Sequence, residues 1–444
     1  MGSSSYFALV FCVLCVVAAP CHGSLFGSSD DTPVGRFKSY LRIATVHPVP
    51  DYKPPSDFLL AQAKEIGLEG KTLEYVKGKP VTLLTWMGTS PSLPSILLNS
   101  HVDVVPAEKD KWEHEPFAAV EDAEGNIFAR GSQDMKCVGM QYLEAIRNLK
   151  AQGFKPTRTI HLSYVPDEEV GGVDGAGNFI ASKDFQNLNV GVNLDEGLAS
   201  PGESYRVFNG ERSPWWLKIK TTGAPGHGSK LYDDSAFENL LKSLDSISKY
   251  RAEQFSLVKK GLRAEGEVTS INGVFLKAGT PTPTGFVMNL QPSEAEAGFD
   301  IRIPPLGDVD DLQRRIDEDW APASRNFTYS FEEKVYPRDK SGRPAVTTAD
   351  DSNPWWVLLK NAVVKAGGKL SKPEIFPAAT DSRYVRQEGI IAFGFSPMAN
   401  TPILLHDHNE FLNAKEYTKG IAVYEEIIKA YSSYAPDVDS QAEL

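Results

Sequence analysis

Cysteine is scarce. The chain has 444 residues and four cysteines, and three of these, Cys12, Cys15 and Cys21, fall at its very start. Beyond that stretch only Cys137 remains, which excludes an intramolecular disulfide framework. A lone thiol in a helical pattern reads as a small buried residue, not a nucleophile. A basic surplus is also missing. Lys and Arg number 46 against 58 Asp and Glu, for a net charge of -12, which argues against nucleic acid or an anionic membrane as the main partner. Long apolar runs are missing too, with one exception, "YFALVFCVLCVVAA" from Tyr6 to Ala19. It is too short to cross a bilayer comfortably and lies where a secretory h-region belongs. Residues 1–23 therefore read as a signal peptide, and the expected location is the secretory pathway: endoplasmic reticulum lumen, vacuole or exterior. No Lys or Arg precedes the run, so an uncleaved anchor is the second reading. The mature chain carries no further candidate span, and the sequon Asn326-Phe327-Thr328 would accept a glycan in that pathway.

The remaining composition, 41% hydrophobic and 23% charged, is that of a globular protein. Its length exceeds what one core usually organises, so two domains are expected. Short apolar runs alternate with helical patterns: "PSILLNS" at 94–100, "RTIHLSYV" at 158–165, "NVGVNL" at 189–194 and "IIAFGF" at 390–395. Between the first two, Val138, Tyr142, Leu143, Ile146 and Leu149 recur at helical spacing before Gly153. This alternation predicts an α/β fold, a mostly parallel sheet with helices on both faces. From about Arg212 the texture changes. "SPWWLKIKTTG", "EVTSINGVFLKAG", "GFVMNL" and "EAGFDIRI" read as strands, with helices at 235–250 and 308–320. The expected organisation is a discontinuous α/β domain, 36–212 and 337–435, with an inserted α+β domain at 213–336 built on an antiparallel sheet.

The His, Asp and Glu residues concentrate where these elements end. "NSHVDVVP" places His101 and Asp103 after one strand, and "RGSQDMK" places Asp134 before a helix. "VPDEEVGG" places Glu168 and Glu169 after the next strand, and "NLDEGL" places Glu196 after another. In a parallel sheet these ends line one crevice, and converging carboxylates repel unless cations neutralise them. Imidazole with carboxylate suits zinc. In an extended segment Glu168 and Glu169 point to opposite sides, so one can bind metal while its neighbour acts as general base. His101 and Asp103 would share a face, and Asp103 could accept the second imidazole N–H.

Together "SHVDVVP", "RGSQDMK", "PDEEVGG", "NLDEG", "GAPGHGS", "PAATDSRY", "GFSPM" and "LLHDHNE" resemble the M20 family of dinuclear zinc hydrolases, from about Arg36 to Tyr434. The resemblance implies a zinc aminopeptidase-like catalytic domain with a lid and dimerisation domain. It implies two Zn2+ per subunit held by His101, Asp134, Glu169, Glu196 and His406, with Asp134 bridging. Three carboxylates and a bridging hydroxide would balance their four positive charges. Glu168 is implied as general base and Asp103 as the residue that orients His101. His227 in "GAPGHGS" is implied to reach a partner's site in a homodimer, and Asn289, Arg302 and Arg383 to contact a substrate carboxylate. The implied reaction is hydrolysis of N-acyl-L-amino acids to a carboxylate and a free amino acid, by a metal-bridged water that Glu168 activates. A dipeptidase or carboxypeptidase on the same scaffold is the alternative, and for the compartment the family points to the cytoplasm.

Other conspicuous residues have simpler readings. His408 would lie behind His406; His47, His114 and His161 read as structural or surface residues. The pairs Trp215-Trp216 and Trp355-Trp356 read as core and junction packing.

Overall fold

Three of the apolar runs read as strands are neighbours in one sheet. In the computed structural model, which describes residues 31–435, Ile160–Val165, Ser95–His101 and Val190–Asp195 pair in parallel, and Ile391–Phe395 joins the last of them, also in parallel. The expected signal peptide and C-terminal tail lie outside the described residues. None of the described helices is long and apolar enough to cross a membrane.

The full sheet has eight strands. On one side the hairpin Glu69–Val76 and Lys79–Trp86 adds two antiparallel strands. On the other, Val207–Glu211 runs antiparallel to Ile391–Phe395 and pairs in parallel with Glu374–Phe376. The two central strands, Ser95–His101 and Ile160–Val165, are buried along their whole length, as strands covered on both faces are. Side chains alternate between two cores. Ile96 and Leu98 pack with the helices Pro33–Leu41, Lys136–Ala151, Pro354–Lys365 and Ala414–Ser433. Leu97 packs on the other face with Phe179, Phe185 and Val385. Each such aliphatic burial contributes about 1.5–3 kcal/mol. Helix Lys136–Ala151 lies so close to the central strand that a Cβ on Gly139 would sit 2.7 Å from Ser100 Oγ, and this contact brings Asp134 beside His101.

The second body is a four-stranded antiparallel sheet in the order Ser270–Ala278, Glu294–Ile303, Ser213–Thr222, Phe327–Lys334. Trp215, Leu217 and Ile219 pair with Ile301, Phe299 and Ala297 and face a core shared with the helix Ala236–Lys259. Ser235 caps that helix through the Glu238 N–H. Two expectations need correction. Trp216 is 41% exposed, because alternation turns it away from the core that holds Trp215. "GFVMNL" contributes only to the two-residue strands Gly285–Phe286, which pairs locally with Pro281–Thr282, and Leu290–Gln291, which pairs with Gly226–His227, so neither joins the larger sheet. Cys137 is buried in its helix, and burial pushes its thiol well up.

His161 sits mid-strand, its Nδ1 2.9 Å from Thr85 Oγ1. Burial, then the Lys71 charge, lowers its imidazole from 6.5 to about 4. As pH falls the unfolded chain takes up this proton first. The contribution, at most about 3 kcal/mol, is therefore intact above pH 6.5 and is lost towards about pH 4. A His161→Gln variant should show a flatter decline in thermal midpoint over that window, whereas an unchanged decline would place the acid sensitivity elsewhere.

Candidate active site

The carboxyl ends of the three adjacent parallel strands deliver their acids side by side. His101 closes one strand, Asp195 and Glu196 close its neighbour, and Glu168 and Glu169 follow the third after Asp167. The last pair is not extended as expected. Asp167 takes a left-handed conformation, and Glu168–Val170 form a single 3-10 turn, so the two side chains part because of the turn and not through strand alternation. Asp134 arrives from the loop before helix Lys136–Ala151, and His406, also left-handed, from the loop after Ile391–Phe395.

These residues meet. His101 Nε2 lies 3.0 Å from Asp134 Oδ1 and 3.9 Å from Glu196 Oε2. His406 Nε2 lies 3.2 Å from Asp134 Oδ2 and 3.0 Å from Glu169 Oε2. Potential ligand atoms of His101, Asp134 and Glu196 all lie within 4.8 Å of one another, as do those of Asp134, Glu169 and His406. Asp134 belongs to both groups, one oxygen turned to each histidine. His408 stands apart, 3.9 Å from Glu108.

The electrostatics are those of a site short of positive charge. Burial, together with the nearby Asp134 charge, pushes Glu196 well up and Glu169 up. Burial opposes protonation of His101, yet its contacts with Asp103 and Asp134 hold it well above the usual histidine range. Hydrogen bonds to Asp134 and Glu169 raise His406 to about 10. Glu169 Oε1 is buried without a hydrogen-bond partner, a costly state unless a cation meets it. Two imidazoles and three carboxylates sharing a central Asp fit a pair of divalent cations, with zinc suited to the donor set.

Asp103 is fully buried at the base of the site. Its main-chain carbonyl lies 2.9 Å from His101 Nδ1, and its carboxylate lies 3.6 Å from the same nitrogen. The carboxylate also accepts the Glu168 and Glu169 N–H groups at 3.2 and 3.1 Å and pairs with His47 Nε2 at 2.7 Å. Burial opposes this charge, but the His101 and His47 contacts win and lower Asp103 to about 2. His47 therefore has a structural role in support of the site, and only its long-range partner shows where it acts.

Glu410, at the end of "LLHDHNE", is a second support that the sequence did not single out. It accepts the Gln133, Gly131 and Asp134 N–H groups at 2.6, 3.0 and 3.3 Å and pairs with Arg130 at 2.8 Å. Arg130 in turn donates to the Asp407 carbonyl at 3.1 Å. This buried pair therefore ties the Asp134 loop to the His406 loop. Replacing Glu410 by Gln leaves Arg130 uncompensated, and metal affinity should fall about 10–100-fold, readable by competition with a chromogenic chelator. Unchanged affinity would mean the Asp134 loop holds itself.

Glu168 belongs to neither ligand group. Burial is the main cause pushing it well up, with Asp381 and Glu169 adding to the effect. Asp381 is itself buried and held up by burial and Asp195, and it accepts from Asn99 at 3.4 Å. The motif "TDSRY" contains Asp381, but nothing in the sequence placed it against Glu168. From the same helix start, Arg383 donates through Nη2 to the Gly171 carbonyl at the end of the Glu168 turn. The lid residues lie elsewhere. His227 is exposed on a two-residue strand paired with Leu290–Gln291, next to exposed Asn289. Arg302 is engaged bidentately with Asp300 at 2.7 and 2.9 Å. Among the described residues no hydrogen bond or ion pair joins these three to the Asp134 cluster of the same chain.

Comparison with known proteins agrees with this geometry. The profile of Peptidase family M20/M25/M40 matches residues 97–430. Aminoacylase-1 of Mus musculus is 45% identical over 406 residues, spanning 91% of this chain and 96% of that protein. Among solved structures, the M20 family metallo-carboxypeptidase Sso-CP2 from Sulfolobus solfataricus superimposes with a TM-score of 0.67 at 18% identity, over 90% of this chain and 99% of that one. Bacillus subtilis YXEP, described as a dinuclear metal binding peptidase from the M20 family, gives 0.60 at 15% identity, over 90% and 98%.

Proposed function

Because the chain belongs to Peptidase family M20/M25/M40, we propose that it is an aminoacylase, hydrolysing the amide bond of N-acyl-L-amino acids to a carboxylate and a free amino acid. One observation carries the metal-dependent part of this reading: Asp134 is shared by two separate ligand groups. His101 and Glu196 would complete one cation site, Glu169 and His406 the other, and both ions would be zinc. When bound, such ions polarise an amide carbonyl and lower the pKa of water.

The residues of the chain supply the rest. Glu168 takes a proton from the attacking water and passes it to the leaving nitrogen. Burial holds its pKa up, which suits a carboxyl that must both accept and return a proton. Arg383 holds the substrate carboxylate beside the Glu168 turn, with Asn289 and Arg302 contributing from the lid. His227, exposed and unconnected to its own cluster, would stabilise the developing oxyanion in a second copy of the chain, making the active unit a homodimer. The identity to Aminoacylase-1 favours a simple acyl group over a peptide as the portion released.

A substrate panel tests this. Metal-replete protein should release amino acid from N-acetyl-L-methionine with a kcat/KM at least about tenfold above that for dipeptides with free amino termini. A preference for the dipeptides would move the assignment to the dipeptidase alternative.

A further inference from the structure

Glu211 and Arg212 stand where the chain leaves the large sheet for the lid: Val207–Glu211 ends at the first, and Ser213–Thr222 begins just past the second. Both are buried, an uncommon position for charge. Among the described residues, no hydrogen bond or ion pair connects either of them to the Asp134 cluster.

Their partners lie in two segments. The Glu211 carboxylate accepts the Thr380 N–H through one oxygen and Arg386 Nη1 at 2.5 Å through the other. Arg212 donates its main-chain N–H to the carbonyls of Phe376 and Ala378, each at 3.2 Å, and its Nε to Pro377 O at 2.7 Å. Its Nη1 reaches across to the lid carbonyls of Glu265 and Val268 at 3.3 and 3.4 Å. Between those two, Gly266 packs so tightly that a Cβ there would lie 2.0 Å from the Ile375 oxygen. Residues 376–380 are thus held from one side by this pair and by the lid, and they lead directly into Asp381 and Arg383.

We propose that Glu211 and Arg212 are positioning residues for substrate binding, fixing the loop that carries Arg383 in register with both the lid and the Glu168 turn. A buried carboxylate shared between a main-chain N–H and a guanidinium cannot release the first without leaving a buried donor unpaired, or the second without leaving a buried charge unpaired. The planar arginine fork spans carbonyls of two bodies in a way lysine cannot. The inference rests on reading Arg383 as the contact for the substrate carboxylate.

The test is a double-mutant cycle on N-acetyl-L-methionine. Glu211→Gln should raise KM about tenfold and change kcat less than about threefold, with thermal midpoint and metal content recorded alongside. Arg383→Ala should raise KM further, and the double variant should be no worse than Arg383→Ala, since Glu211 acts through Arg383. Arg212→Lys should repeat the Glu211→Gln pattern, and it carries the test if Glu211→Gln does not fold. Additive losses in the cycle, or a fall in kcat with KM unchanged, would overturn the proposal. A wild-type KM in Arg383→Ala would instead show that the reading of Arg383 is wrong, and the inference would fall with it.

Discussion

Glu168→Gln should retain its metal ions and lose about 10²–10⁴-fold in kcat. Glutamine keeps the size of the side chain and the main-chain contacts that fix the turn, namely the Glu168 and Glu169 N–H groups bound by Asp103. What it loses is the capacity to take a proton. The other nearby acids are mostly engaged: Glu169, Glu196 and Asp134 belong to the ligand groups, and Asp103 is engaged with His47 and the turn. Turnover within about threefold of wild type, measured with metal content verified, would remove Glu168 from the role of base.

Stripping the ions should abolish turnover and destabilise the fold together. Without cations, Asp134, Glu169 and Glu196 face one another in a buried space with only His101 and His406 as counter-charge, and Glu169 Oε1 has no partner. At a free ion concentration about 1,000 times Kd, binding stabilises the native state by about 4 kcal/mol, and chelation forfeits that amount. Activity and thermal midpoint should fall on dialysis against a strong chelator and return on adding zinc. Full activity in excess chelator would contradict the account.

The fold and the cluster were legible where the chemistry lies close in sequence to a strand end. The runs ending at His101 and Asp195 are legible from their short apolar stretches, as expected of strands covered on both faces. The hairpin Glu69–Val76 and Lys79–Trp86 escaped notice because its outer strand is largely exposed and carries charged residues. Phe327–Lys334 escaped for the same reason, at the edge of the lid sheet. His47, Asp381 and Glu410 were not singled out because each acts through a partner far away in sequence: Asp103, Glu168 and the Gly131–Asp134 loop respectively. A carboxylate that caps a distant loop looks in sequence like any solvated acid. The conformation of Glu168 and Glu169 depended on Asp167 being left-handed, which only the folded chain decides.

Metal content per chain, measured on exhaustively dialysed wild-type protein and on Asp134→Ala, addresses the shared carboxylate directly. Two divalent ions in the wild type and fewer than about one in the variant are expected, because Asp134 serves both groups. A wild type that binds no ion when saturated with zinc, or an Asp134→Ala protein that keeps both, would contradict it.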